Sequence, residues 1–139
     1  MMTNKPIKNA MIIDDEVFDQ RIYKRIIARS GLVENLHSFL AADLALDYLS
    51  GHPDMVVDAI FLDINMPRMN GFEFLDQATA MLGPNFAKVC IVMLTTSLDP
   101  KDMQRAKEFE VVKEFLNKPL TTDHVAHVAD LVSQANDQA

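Results

Sequence analysis

Continuous apolar runs and helically spaced apolar positions alternate along this chain. Residues 10–13 read AMII and are followed at once by Asp14, Asp15 and Glu16. The next stretch has a helical period, with Phe18, Ile22, Ile26 and Ile27 on one face and Asp19, Lys24 and Arg25 largely elsewhere. Ser30-Gly31 stops it. LVENLHSF reads as a strand of weaker pattern, and Asp43 to Ser50 as a short helix closed by Gly51 and Pro53. DAIFLD is a second continuous apolar strand, and GFEFLDQATAML a second helix, stopped by Gly83-Pro84. KVCIVMLTT is the third apolar strand; Ser97 or Asp99 caps the helix DPKDMQRAKEF, where Pro100 suits the first turn. VVKEFL is a short strand and Lys118-Pro119 a turn. The last helix, TTDHVAHVADLVSQA, is capped by Thr121 or Thr122 and buries Val125, Val128 or Ala129, Leu131 and Val132.

Strand and helix therefore alternate five times with short connectors. The strands are apolar without clear alternation, as expected when helices cover both faces of a parallel sheet. The pattern predicts a small three-layer α/β fold with a crevice beyond the carboxyl ends of its strands. No internal repeat, linker or compositional break marks a second domain, and 139 residues fit one domain comfortably.

Composition narrows the function classes. Hydrophobic residues make up 49% of the chain and charged residues 24%, enough for a real core and too apolar for extensive disorder. The formal net charge of -7 weighs against direct binding to nucleic acid or to an anionic membrane, and leaves room for cations in an acidic pocket. Cys90 is the single cysteine, sits in an apolar run and reads as a small buried hydrophobe in a reducing compartment. MMTNKPIKN lacks the apolar segment of a signal peptide, and no later stretch approaches the ~18 apolar residues that span a bilayer. A cytoplasmic protein without membrane insertion is the expectation, with flexible termini at residues 1–6 and 134–139.

The predicted topology gives the polar residues at the strand ends a meaning. Asp14 and Asp15 end the first strand, Asp63 the third, Thr95 and Thr96 the fourth, and Lys118 follows the fifth. In a parallel sheet these ends share one edge. Carboxylates gathered there repel one another, which raises proton affinity or calls for a cation. Oxygen ligands suit a hard divalent ion, Mg²⁺ or its analogue Mn²⁺. There is no Cys/His grouping for zinc, since His37, His52, His124 and His127 are scattered. A carboxylate nucleophile, a lysine, a hydroxyl and a metal form a set suited to phosphoryl chemistry. The chain has no GxGxxG or GxxxxGK[ST] loop and no GxSxG elbow, which weighs against nucleotide-binding and serine-hydrolase readings. From the residues alone, the reading is a metal-dependent phosphoryl or phosphate site.

With these motifs in order, the sequence resembles the receiver domain of two-component response regulators. The likeness to single-domain, chemotaxis-type receivers covers residues 7–133, with no output domain appended. The acidic pair is Asp14 and Asp15 in IIDDE, and the phosphoacceptor is Asp63 in FLDINMPRMNG. Pro67 and Gly71 match the family's loop, Thr95 its hydroxyl position, Lys118 and Pro119 its lysine and proline, and Phe115 its aromatic switch position. The resemblance implies a flavodoxin-like, doubly wound (βα)5 fold of strand order 2-1-3-4-5. It implies Mg²⁺ held by Asp15, Asp63 and the backbone carbonyl of Asn65, with Asp14 acting mainly through water. It also implies that a sensor histidine kinase or histidine phosphotransfer protein passes a phosphoryl group to Asp63, with acetyl phosphate as a possible small donor. Loss of the group by in-line attack of water resets a switch that signals to a downstream protein. The chain then acts on itself and is not an enzyme with an external substrate. Movement of Thr95 and Lys118 toward the phosphoryl group, with Phe115 filling the vacated space, is the implied switch.

Some positions depart from the family pattern. Thr96 stands where a very small residue is usual and narrows access to the site, and Phe115 cannot hydrogen-bond as a tyrosine does. Asn65 stands where the aspartate-nucleophile phosphatases place a second aspartate as general acid, which argues against rapid turnover of an external phosphoester. A receiver-like module that no longer takes phosphate is the other alternative. The first helix is the family's docking element for histidine-bearing helices. Its apolar residues are expected to face mostly the sheet, leaving partner choice to Asp19, Arg21 and Tyr23. Met66 and Met69, beside Asp63, are expected to be partly exposed, and Met11 and Met93 to lie in the core.

Overall fold

The computed structural model describes residues 5–96 and 99–137, residues 136–137 by their backbone alone. Ser97, one of the two expected caps, lies outside the described residues, as do residues 1–4 and 138–139 of the termini. The strands are β1 (Ile7–Ile13), β2 (Val33–Phe39), β3 (Ala59–Asp63), β4 (Cys90–Thr95) and β5 (Val112–Asn117). The helices are α1 (Val17–Ser30), α2 (Ala42–Gly51), α3 (Gly71–Leu82), α4 (Pro100–Ala106) and α5 (Thr122–Asp137). All strand pairs are parallel and the order is β2-β1-β3-β4-β5.

The missing alternation in the strands now has its cause. Successive side chains leave a strand on opposite faces, and here both faces are covered. Met11 and Ile13 of β1, Ile60 and Leu62 of β3, and Ile91 and Met93 of β4 pack with α2, α3 and Ala106 of α4. Ala10 and Ile12, Ala59 and Phe61, and Cys90, Val92 and Leu94 point the other way, toward Tyr23 and Ile27 of α1 and toward Val125, Val128, Ala129 and Val132 of α5. Each fully buried Ile, Leu or Phe contributes about 1.5–3 kcal/mol by leaving water. The two clusters thus clamp the sheet and hold its edge rigid. Cys90 belongs to this interior, and burial pushes its thiol up to about 11, so it behaves as a hydrophobe and not as a nucleophile.

Several local expectations change. α1 does not bury Phe18 and Ile22; Phe18 is 71% exposed and Ile22 also faces solvent, while Gln20, Tyr23 and Ile27 face the sheet. The i, i+3, i+7 stripe of Gln20, Tyr23 and Ile27 wins because Gln20 finds backbone partners inside, and the Phe18–Ile22 stripe is turned outward. Met66 is buried in the core, not partly exposed beside Asp63, whereas Met69 is partly exposed as expected while it packs on the same cluster. Gly83-Pro84 ends α3 but starts a 3-10 helix, Gly83–Lys88, that buries Phe86 edge-on to Phe74. α4 is shorter than its pattern and ends at Ala106; it is capped by Asp99, whose Oδ1 accepts from the Lys101 N–H at 2.9 Å. α5 is capped by Thr121, whose hydroxyl accepts from the His124 N–H while the His124 ring accepts from the Thr121 N–H, each at 3.1 Å. It continues to Asp137, so the polar stretch at 134–137 is helical.

The loop after β3 is fixed by its exit into α3. Asn70 accepts from the Glu73 N–H at 2.9 Å and Glu73 returns by accepting from the Asn70 N–H at 3.0 Å, a capping box. The Gly71 N–H then donates to the Ile64 carbonyl at 2.8 Å, which brings the start of α3 hard against the end of β3. A Cβ at Gly71 would lie 2.7 Å from the Asp63 carbonyl oxygen and 3.0 Å from Met93 Cε, so only glycine fits this approach. Gly51, by contrast, has no atom within 4 Å of such a Cβ. Gly71→Ala is therefore expected to cost about 1–3 kcal/mol in urea unfolding, with shifted amide signals around Asp63. Gly51→Ala should be neutral or stabilising by up to about 1 kcal/mol. Equal effects of the two substitutions would contradict the close approach.

Candidate functional site

The ends of β1, β3, β4 and β5 meet at one edge of the sheet, where four of the sequence-predicted residues converge. Asp14 follows Ile13 directly, and its N–H donates to the Phe39 carbonyl at 3.1 Å, which ties the start of the β1–α1 loop to the end of β2. Its side chain is almost fully buried: Oδ1 accepts from the Glu16 N–H at 2.9 Å and Oδ2 from the Lys118 ammonium at 2.8 Å. Lys118 reaches back from the end of β5, and its backbone N–H donates to the Thr95 carbonyl at 2.7 Å, locking the exits of β4 and β5 together. The same ammonium lies 3.3 Å from Asp19 Oδ2 and 3.5 Å from Asp63 Oδ1. Asp63 is the last residue of β3 and Thr95 the last of β4; both are buried.

Asp15 is half-exposed beside this pair, and Asp14, Asp15 and Asp63 each offer a carboxylate oxygen within 4.8 Å of the others. Three hard oxygen donors without nitrogen or sulfur fit Mg²⁺ or Mn²⁺ and not zinc. Asn65 stands two residues beyond Asp63 with its side chain exposed, and Thr96 is exposed just beyond Thr95. Phe115 is not in the cluster. It is half-buried in β5, in register with Met93, and lines a groove of about 230 Å³ between α4 and β5 together with Met103 and Ala106. A larger groove of about 610 Å³ lies at the opposite edge of the sheet, beside Leu49, Asp58, Phe86 and Val89, and holds none of these residues.

The electrostatics follow from one cation among several anions. Burial, and then repulsion from Asp14, push the Asp63 carboxyl from 3.8 up to about 6, against the pull of Lys118. Burial alone would lower the affinity of Lys118 for its proton, but the Asp14 hydrogen bond and the charges of Asp63 and Asp14 more than offset it and hold the lysine above its ordinary value. Tyr23, whose ring centroid lies 5.9 Å from the ammonium, is pushed by burial up to about 12 and stays neutral. The edge therefore carries a permanently protonated lysine beside a carboxylate that ionises reluctantly without a further cation.

Two participants escaped the sequence reading. Asp19, expected off the apolar face and assigned to partner choice, is instead a partner of Lys118. Gln20 is buried, and the two N–H donors of its Nε2 are shared among three carbonyls, of Ile12 at 3.4 Å, Asp14 at 3.1 Å and Phe39 at 2.9 Å. It thereby pins the strand exit that carries Asp14. The available signal was a polar residue one helical turn ahead of Tyr23 and Ile27, on the inward stripe that those two mark. Tyr23 and Asp19 thus stand at the site, and of the three polar residues assigned to partner choice only Arg21 is exposed.

Comparison with known proteins agrees with this arrangement. The chain is 30% identical over 118 residues to an uncharacterized response regulatory protein of Vibrio cholerae, covering 85% of this chain and 45% of that protein. It is 26% identical over 110 residues to the sensory/regulatory protein RpfC of Xanthomonas campestris pv. campestris, covering 79% of this chain and 14% of that protein. It thus spans less than half the length of both relatives. A crystal structure of a two-component response regulator from Cytophaga hutchinsonii superimposes with a TM-score of 0.87 at 28% identity, over 92% of this chain and 98% of that one. The family model for the response regulator receiver domain matches residues 10–130, a span that holds every residue of the cluster, and the chain belongs to that family.

Proposed function

We propose that residues 7–133 form a phosphoaccepting switch in which Asp63 takes a phosphoryl group from a phosphohistidine. The donor is a sensor histidine kinase or a histidine phosphotransfer protein. An Asp63 oxygen forms the bond to phosphorus as the phosphorus–nitrogen bond of the donor breaks, and the imidazole leaves with its electron pair and takes up a proton. The observation that carries this reading is the Lys118 ammonium, 2.8 Å from buried Asp14 and 3.5 Å from Asp63, a cation already placed beside the nucleophile. Mg²⁺ or Mn²⁺, held by Asp15, Asp63, the Asn65 carbonyl and, through water, Asp14, would neutralise the phosphoryl oxygens. Lys118 and Thr95 bind the new anion, and Phe115 repacks in the groove between α4 and β5 as Thr95 moves. Asn65 offers no general acid, so the phosphoryl group is stored until water removes it; the chain signals and does not turn over an external substrate.

The donor docks on α1, whose exposed Val17, Phe18 and Ile22 present an apolar stripe next to the site. The output is contact with a downstream protein in the cytoplasm, without direct binding to nucleic acid or insertion into a membrane. Among the described residues, no helix is long and apolar enough to cross one.

Incubation with acetyl phosphate and Mg²⁺, read by intact mass, is expected to add one phosphoryl group that hydroxylamine removes and that Asp63→Asn abolishes. Phe18→Ala should keep this reaction but slow transfer from a phosphohistidine protein severalfold. No gain from any donor would leave a binding module that works without phosphate.

The raised Asp63 carboxyl also sets a pH dependence. Its proton is held more tightly in the folded chain than in the unfolded one, so the associated stability is full below about 3.8 and is lost as pH rises through about 6. Without divalent cation, Asp63→Asn should therefore stabilise the protein at pH 7.5 by about 1–3 kcal/mol. The gain should shrink toward pH 4 and when Mg²⁺ is added to both proteins. A gain in urea unfolding that does not depend on pH would refute the assignment.

A further inference from the structure

Lys118 has three carboxylate neighbours, and they are not equivalent. Its ammonium carries three N–H donors. Asp14 Oδ2 at 2.8 Å is almost fully buried, Asp19 Oδ2 at 3.3 Å belongs to a side chain 31% exposed, and Asp63 Oδ1 at 3.5 Å is the most distant. Asp19 and Tyr23 stand one turn apart on α1 and approach the ammonium together, Asp19 by its carboxylate and Tyr23 by its ring. Two side chains of α1 thus hold the lysine together.

The geometry points to Asp19 as a positioning residue that restrains Lys118 in the unphosphorylated protein and competes with the phosphoryl group for it. This rests on Asp63 being the phosphoacceptor. A new anion on Asp63 needs a share of the ammonium, and one present partner must yield. Asp14 yields least readily, because it is almost fully buried and makes the shortest contact to the ammonium. Asp19 can yield, because its side chain is partly exposed and water replaces the lysine as it turns away. The consequence has opposite signs for the two kinds of ligand. The Asp19 charge favours a cation at the carboxylate cluster and opposes an anion on Asp63. A purely structural role would move both in the same direction.

The test measures Mg²⁺ affinity, and beryllofluoride affinity at saturating Mg²⁺, by calorimetry on wild type, Asp19→Asn and Asp19→Glu. Asp19→Asn is expected to weaken Mg²⁺ binding about threefold and to tighten beryllofluoride binding about threefold, the size of one partly exposed ion pair. Asp19→Glu, which keeps the charge, should return both toward wild type. In metal-free protein, Asp19→Asn should also speed exchange of the Lys118 ammonium protons with water. A change of both affinities in one direction, or in neither, would overturn the role of Asp19 and leave the phosphoacceptor reading standing. Wild-type protein that binds Mg²⁺ and beryllofluoride at no concentration would overturn that reading and this one together.

Discussion

The ion pair between Lys118 and Asp14 is the interaction on which the site is built. A carboxylate as buried as Asp14 is tolerated only with a cation and hydrogen bonds at hand, and it has the Lys118 ammonium at 2.8 Å and the Glu16 N–H at 2.9 Å. One partner comes from the end of β1 and the other from the end of β5, the first and last strands of the chain. The pair therefore ties the two ends of the fold across the sheet edge. Asp63 and Asp19 join the same ammonium, so one positive charge is divided among three negative ones. That shortage of positive charge gives the edge its chemistry. Burial and this crowding of anions keep the Asp63 carboxyl high, and the shortage leaves oxygen ligands that suit a divalent ion and three carboxylate partners for Lys118.

The rest of the molecule supplies rigidity to this edge. Two apolar clusters on opposite faces of the sheet fix where each strand ends. Gly71 lets α3 begin against the Asp63 backbone, and Gln20 binds the exits of β1 and β2 through three carbonyls. The Lys118 N–H does the same for β4 and β5 at the Thr95 carbonyl. The exits of β1, β3, β4 and β5 are thus each held by a hydrogen bond to their backbone. The backbone that carries the functional side chains is fixed in this way, while the side chain of Lys118 keeps alternative partners.

Much of this was legible in the sequence because topology converts strand ends into neighbours. Asp14, Asp63, Thr95 and Lys118 each close a segment of apolar strand, and a parallel sheet leaves them one edge to share. Element types were equally legible wherever burial on both faces produced unbroken apolar runs. Readings failed where the inward residue is polar. Gln20 answers to backbone carbonyls that no hydrophobic pattern encodes, and its inward placement turns Phe18 and Ile22 to solvent. The role of Asp19 was hidden because its partner Lys118 lies 99 positions away and reaches it only through the fold. The 3-10 helix at Gly83–Lys88 was hidden because Gly-Pro reads as a stop, whereas Phe86 draws the chain back onto the core.

The dependence on one ammonium is most directly tested by unfolding Lys118→Met in urea, alone and combined with Asp14→Asn, with and without millimolar Mg²⁺. The single substitution should cost about 3 kcal/mol, as loss of a buried partner does. The double substitution should cost less than the single one, and Mg²⁺ should return part of the loss only where Asp14 is retained. A Lys118→Met protein that unfolds at the wild-type urea midpoint, unmoved by Mg²⁺, would contradict the account.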